Sequence, residues 1–184
     1  TIVDPNSEWN SKQADLLIDD GIISKIADSI NDKTARTVEA TNLHVSPGWF
    51  DLHVNFREPG DEYKEDLLSG VDAAISGGFT GVALMPSTNP VICNKSAIDY
   101  VINKTKHTPV DVFPCGTISD NRDGKNLAEM YDMKQAGAVA FTDDKESIAD
   151  AGLMSRALLY TKSFNALIMN FPCDYSTQPN GMMN

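Results

Sequence analysis

Polar side chains stand where the apolar runs of this sequence stop: His53 and Asn55, Ser87 and Asn89, Asp143 with Asp144, and Asn170. His53 and Asn55 are two residues apart, so on an extended segment they leave the same face and aim at the same point. Taken by itself, His53 reads as a strand-end histidine hydrogen-bonded to Asp144 or to backbone. Arg57 carries a rigid fork suited to gripping a carboxylate through two parallel bonds; equally, it could pair with Glu58, Asp61 or Asp144. Asp143 and Asp144 look like a dyad, but neighbours on a strand face opposite sides. One of them is therefore expected to cap a loop or helix. His44 and His107 fit no such pattern and are expected at the surface or in packing. Met169, Met182 and Met183 are expected to pack. Cys93, Cys115 and Cys173 form no C-x-x-C and read as core or loop thiols.

The elements that would position these groups repeat. Apolar runs begin near Trp49, Gly81, Val110, Ala138 and Ala166, a period of roughly 30 residues, with amphipathic stretches between them. Leu67, Leu68, Val71, Ala74 and Ile75 predict one helical face, stopped by Gly77-Gly78. Asn94 is placed to cap a second helix carrying Ile98, Val101 and Ile102. Leu127, Met130, Tyr131 and Lys134 predict a third, and Leu153, Met154, Ala157 and Leu158 a fourth. Alternating strand and helix at this period means βαβ units and a parallel sheet. An open doubly wound sheet usually carries a glycine-rich phosphate loop after its first strand, and none follows here. A (β/α)8 barrel places its chemistry at the C-terminal ends of several strands, which matches the polar positions above. The expected fold is α/β: five strands of a (β/α)8 TIM-type barrel over 47–184. Five strands fall short of eight, so the chain is expected to be the N-terminal part of such a barrel or to need a partner.

Residues 1–46 read differently. Leu16-Leu17-Ile18 and Ile22-Ile23 flank Asp19-Asp20-Gly21, a hairpin signal. Val38 and Leu43-His44-Val45 are expected to form further short strands, giving part of a small β-sandwich.

Pro47-Gly48-Trp49-Phe50-Asp51-Leu52-His53-Val54-Asn55-Phe56-Arg57-Glu58-Pro59-Gly60 resembles the first-strand signature of dihydroorotases, P-G-x-x-D-x-H-x-H-x-R-x-P-G. The resemblance continues through Gly77-Gly78-Phe79-Thr80, Met85-Pro86-Ser87-Thr88-Asn89-Pro90, Phe141-Thr142-Asp143-Asp144 and, more weakly, Ile168 to Asp174. It implies the amidohydrolase superfamily and the reversible ring closure of carbamoyl aspartate in pyrimidine synthesis, with zinc activating a water. On the same resemblance His53 and Asp144 are metal-ligand positions. Asn55 and Phe171 stand where two further histidines belong. Arg57 is the substrate-carboxylate arginine, and Ser87 replaces its asparagine helper, with Asn89 two residues on. The family's remaining histidine and its catalytic aspartate fall beyond Asn184. An amide is a poor zinc ligand and a phenyl ring is none. The expectation is a degenerate homologue with no zinc or partial zinc, impaired or silent in hydrolysis. The alternatives are an active zinc-dependent cyclic amidohydrolase with an unusual ligand set, and a scaffold partner of aspartate transcarbamoylase.

Composition sets the outer bounds. Lys plus Arg is 15 against 26 for Asp plus Glu, a formal net charge of -11, which disfavours nucleic acid and anionic membrane surfaces. No apolar run approaches the roughly 20 residues of a membrane span, and the first residues lack a signal-peptide pattern. A small carboxylate ligand, a homo-oligomer and a cytoplasmic setting are the remaining expectations, the last from cysteine usage.

Overall fold

The computed structural model describes residues 1–174. The expected roles of Met182 and Met183 lie outside the described residues. The chain divides into two compact units, the first spanning Thr1–Gly48 and the second beginning at Trp49.

In the first unit β1 (Asp15–Asp19) and β2 (Ile22–Ala27) pair antiparallel. Asp20 and Gly21 both take positive φ, 47° and 79°, the conformation a two-residue hairpin turn requires. Val45 reaches only an isolated parallel bridge with Ile2. The strand expected at Val38 does not form. Upstream of it, the Asp32 carboxylate accepts from Thr34 N at 2.8 Å and from Thr34 Oγ1 at 2.6 Å. Val38, three residues beyond that turn, stays exposed with no ladder partner among the described residues.

The second unit runs β3 (Trp49–Val54), α1 (Leu67–Ser76), β4 (Phe79–Leu84), α2 (Lys95–Thr105), β5 (Asp111–Pro114), α3 (Met130–Ala136), β6 (Ala140–Phe141), α4 (Ala151–Lys162) and β7 (Leu167–Ile168). β3, β4 and β5 are parallel and adjacent in chain order, and β6 pairs parallel with β7. Gly116, just past β5, joins the two groups: its N–H donates to Ala140 O at 3.0 Å and its carbonyl accepts from Thr142 N at 2.9 Å. The result is five parallel strands in sequence order with helical crossovers, the arrangement expected of the first part of a (β/α) barrel.

β4 shows why its apolar run reads as a buried strand. Val82 and Leu84 pack into the core formed with Leu67, Val71, Ile98 and Phe141. Ala83 and Met85, on the opposite face, pack with Cys115 and Ala140. Both faces are covered, so the run is continuously apolar instead of alternating. Helix starts follow the expected chemistry. Asp66 and Ser69 form a reciprocal capping box at α1, and Asn94 Oδ1 accepts from Ala97 N at 3.0 Å at α2. Gly137, with φ 114°, closes α3.

Some facial assignments differ. Leu68, Ile75 and Leu158 are exposed, because the buried faces of α1 and α4 are narrowed to Leu67, Val71 and Ala74 and to Leu153, Ala157 and Thr161. Leu127 is outside α3. It bridges antiparallel to Ser119, and Ala128 N donates to Ile118 O at 2.9 Å. These extended contacts hold the backbone away from helix until Met130.

Candidate functional site

Three strand ends converge. His53 lies in β3, Asn55 just after it, Ser87 shortly after β4, and Asp144 after β6. His53 Nε2 is 2.7 Å from Asp144 Oδ1, while Ser87 Oγ is 2.6 Å from Asp144 Oδ2 and 2.8 Å from Asn55 Oδ1. His53 and Asn55 thus do share a face, as their spacing predicts. A hydroxyl has one proton. The charged carboxylate is the stronger acceptor and makes the shorter contact, so that proton belongs to Asp144. Asn55 Oδ1 is the second acceptor within reach of the same hydroxyl. The network centres on Ser87 Oγ, between Asn55 Oδ1 and Asp144 Oδ2, with His53 Nε2 on the other Asp144 oxygen.

Asp144 is held for this role by its backbone. Its φ is 56°, its N–H donates to Thr142 Oγ1 at 3.0 Å, and its side chain is 3% exposed against 49% for His53. The left-handed turn also separates the two aspartates. Asp143 accepts from Ile118 N at 2.8 Å, from Ser119 N at 3.1 Å and from the Ser119 hydroxyl. As expected of one member of the pair, it caps a loop.

Arg57 sits in the loop after β3, with φ 58°. Each carboxylate named as its possible partner is engaged elsewhere. Asp144 faces His53, Asp61 is 3.4 Å from Lys64 Nζ, and Glu58 is paired with Lys104. Arg57 makes no ion pair among the described residues. Glu58 is buried and accepts from Leu67 N at 2.8 Å and from Tyr100 and Lys104. Burial pushes its carboxyl up, but the Leu67 N–H, Lys104 and Tyr100 together outweigh that and hold it below the usual carboxylate range. This cluster was not apparent in the sequence. The only local trace is the i, i+4 spacing of Tyr100 and Lys104 on α2, which says nothing about a glutamate more than 40 residues upstream.

The other positions sort plainly. Asn89 is exposed, and its N–H donates to Pro59 O at 2.9 Å, so it braces the Arg57 loop through its backbone. Phe171 is exposed at 41%. His44 and His107 are exposed, and burial pushes the Cys115 thiol up to about 12. Cys93 and Cys173 are free. Thr117 Oγ1 is buried without a hydrogen-bond partner among the described residues.

A zinc ion takes three or four protein donors at about 2.0–2.3 Å. Among the described residues no three His, Cys, Asp or Glu side chains gather in a group that could hold a metal. His53 Nε2 and Asp144 Oδ1 are in direct hydrogen-bond contact at 2.7 Å. Asn55 presents its amide oxygen to the Ser87 hydroxyl, and an amide is a poor zinc donor beside imidazole or carboxylate. With His53 and Asp144 as the two donors of the preferred types at these strand ends, the described residues do not by themselves make up a zinc site.

A family model described as dihydro-orotase-like matches residues 43–183. The chain is 42% identical over 171 residues to the dihydroorotase of Ruminiclostridium cellulolyticum, covering 92% of this chain and 40% of that protein. It is 41% identical over 184 residues to the dihydroorotase of Syntrophotalea carbinolica, covering 100% of this chain and 43% of that protein. The chain therefore spans about two fifths of the length of the curated relatives it matches. Among solved structures it is similar in fold to the L-hydantoinase (dihydropyrimidinase) from Arthrobacter aurescens, with TM-score 0.56, 23% identity, and coverage of 84% of this chain and 36% of that one.

Proposed function

Because the chain belongs to the dihydro-orotase-like family, we propose that it is a homologue which keeps a carboxylate-binding arginine but has lost metal-assisted hydrolysis. One observation carries this reading: the closed chain of hydrogen bonds from Asn55 through Ser87 to Asp144, with His53 on the far oxygen. At these strand ends His53 Nε2, both Asp144 oxygens, Ser87 Oγ and Asn55 Oδ1 are each within hydrogen-bond reach of another side chain. Lowering the pKa of a bound water toward neutrality needs a concentrated positive charge, and one imidazole with one carboxylate does not assemble it.

Arg57 supports the other half of the reading. A guanidinium with no ion-pair partner among the described residues, on a loop braced at Pro59 and Asp61, is suited to one end of a small carboxylate such as carbamoyl aspartate. Such a protein binds without turning over.

The test uses the full-length protein: elemental analysis for zinc, calorimetric titration with carbamoyl aspartate, and an assay of dihydroorotate hydrolysis. Binding without stoichiometric zinc and without turnover is the expected result. Two zinc ions per chain with turnover would overturn the reading and favour an active amidohydrolase with an unusual ligand set.

A further inference from the structure

The residue after Arg57 is a buried acid with no hydrogen bond or ion pair to Arg57 among the described residues. Glu58 takes donors from two helices: the Leu67 N–H opening α1, and Tyr100 and Lys104, one turn apart on α2. Its own N–H donates to Phe56 O at 2.7 Å, across Arg57, while Asp61 N donates to Arg57 O at 2.9 Å. Arg57 itself is in the left-handed region at φ 58°, which a non-glycine residue adopts only when its surroundings enforce it. The chain on either side of Arg57 is thus pinned, and the strongest pin is the Glu58 side chain.

The same contacts decide electrostatics. Glu58 is the acid nearest to Arg57 in sequence, and a free carboxylate there would neutralise the guanidinium. Lys104 already supplies its counter-charge.

We propose that Glu58 is a positioning residue for Arg57: clamped between α1 and α2, it sets the direction of the guanidinium and, by facing Lys104, leaves that guanidinium open to a ligand carboxylate. This rests on the reading of Arg57 as the anion-binding group.

The experiment is a double-mutant cycle in the full-length protein. It measures carbamoyl aspartate affinity by calorimetry for wild type, Arg57→Gln, Glu58→Ala, Glu58→Gln, Lys104→Met, and the pairings of each with Arg57→Gln. Circular dichroism checks that each variant is folded. Arg57→Gln is expected to weaken binding on the order of tenfold or more, and Glu58→Ala by a similar factor. Glu58→Gln, which keeps an acceptor for Leu67 and Tyr100, should recover much of the loss. In the Arg57→Gln background neither Glu58→Ala nor Lys104→Met should weaken binding further. Should Glu58→Ala not fold, Glu58→Gln and Lys104→Met supply the same comparison. Losses that add in the double variants, or wild-type affinity in the folded Glu58 and Lys104 variants while Arg57→Gln is impaired, overturn the positioning role and leave the arginine site standing. Binding that is absent, or indifferent to Arg57→Gln, overturns both.

Discussion

Replacing Asp144 tests the network most directly. Its carboxylate accepts from His53 at 2.7 Å and Ser87 at 2.6 Å with a side chain 3% exposed. Hydrogen bonds to a charged group contribute about 1.5–3 kcal/mol each, a gross of about 3–6 kcal/mol for two. Against this, removing the carboxylate relieves its desolvation, a penalty of several kcal/mol for a buried ion. His53, half exposed, regains water when freed. Alanine adds a cost of about 1 kcal/mol for the left-handed backbone, which Asp and Asn tolerate better. The net expectation is a loss of about 2 kcal/mol for Asp144→Ala and about 1 kcal/mol for Asp144→Asn, which keeps an acceptor for Ser87. Urea unfolding of the full-length protein followed by tryptophan fluorescence measures both. Ser87→Ala should cost less in the Asp144→Ala background than alone, because the two changes remove one shared bond. An Asp144→Ala protein as stable as wild type, or strictly additive Ser87 and Asp144 losses, would refute the claim that this network holds the strand ends together.

Other perturbations follow from the same geometry. Glu58 has its folded pKa depressed, so its contribution is complete above the ordinary glutamate value of about 4.3 and is lost as pH falls through the folded value. The gap in melting temperature between wild type and Glu58→Gln should therefore be wide at neutral pH and close in acid; a gap independent of pH would contradict the Lys104 pairing. Gly70→Ala places a Cβ 2.4–2.7 Å from the Phe56 ring. It should destabilise by about 1–2 kcal/mol despite the better helix former, read as a lower urea midpoint. Asn55→His with Phe171→His in the full-length protein should raise bound zinc by elemental analysis. Unchanged metal would mean that restoring two imidazoles does not rebuild a centre on this backbone.

Much of the barrel segment is legible in the residue pattern because its signals are local. Buried runs such as Gly81 to Met85, the cap at Asn94, and a glycine stop after α1 each act within a few positions. The Val38 strand does not form because an apolar residue alone does not supply a neighbouring strand, and among the described residues Val38 has none. The exposed Leu68 and Leu158 are apolar residues on the margin of a helical stripe, where pattern alone does not set the width of the buried face. At the site, His53, Asp144 and Arg57 stand out through the motifs that resemble dihydroorotases. That Ser87 and Asn55 bond to each other does not, because they are brought together by sheet register across 32 residues. The engagement of Glu58 by two helices is hidden for the same reason: tertiary contacts carry no periodicity.

The turn at Asp144 splits two consecutive acids into separate duties. Asp143 ties the end of β6 to the segment at Ile118 and Ser119, and Asp144 faces His53 and Ser87. The end of β6 is therefore fastened twice, and the Asp143 fastening does not pass through His53, Ser87 or Asn55. Replacing Asp144 would loosen the rim while Asp143 still moors the strand.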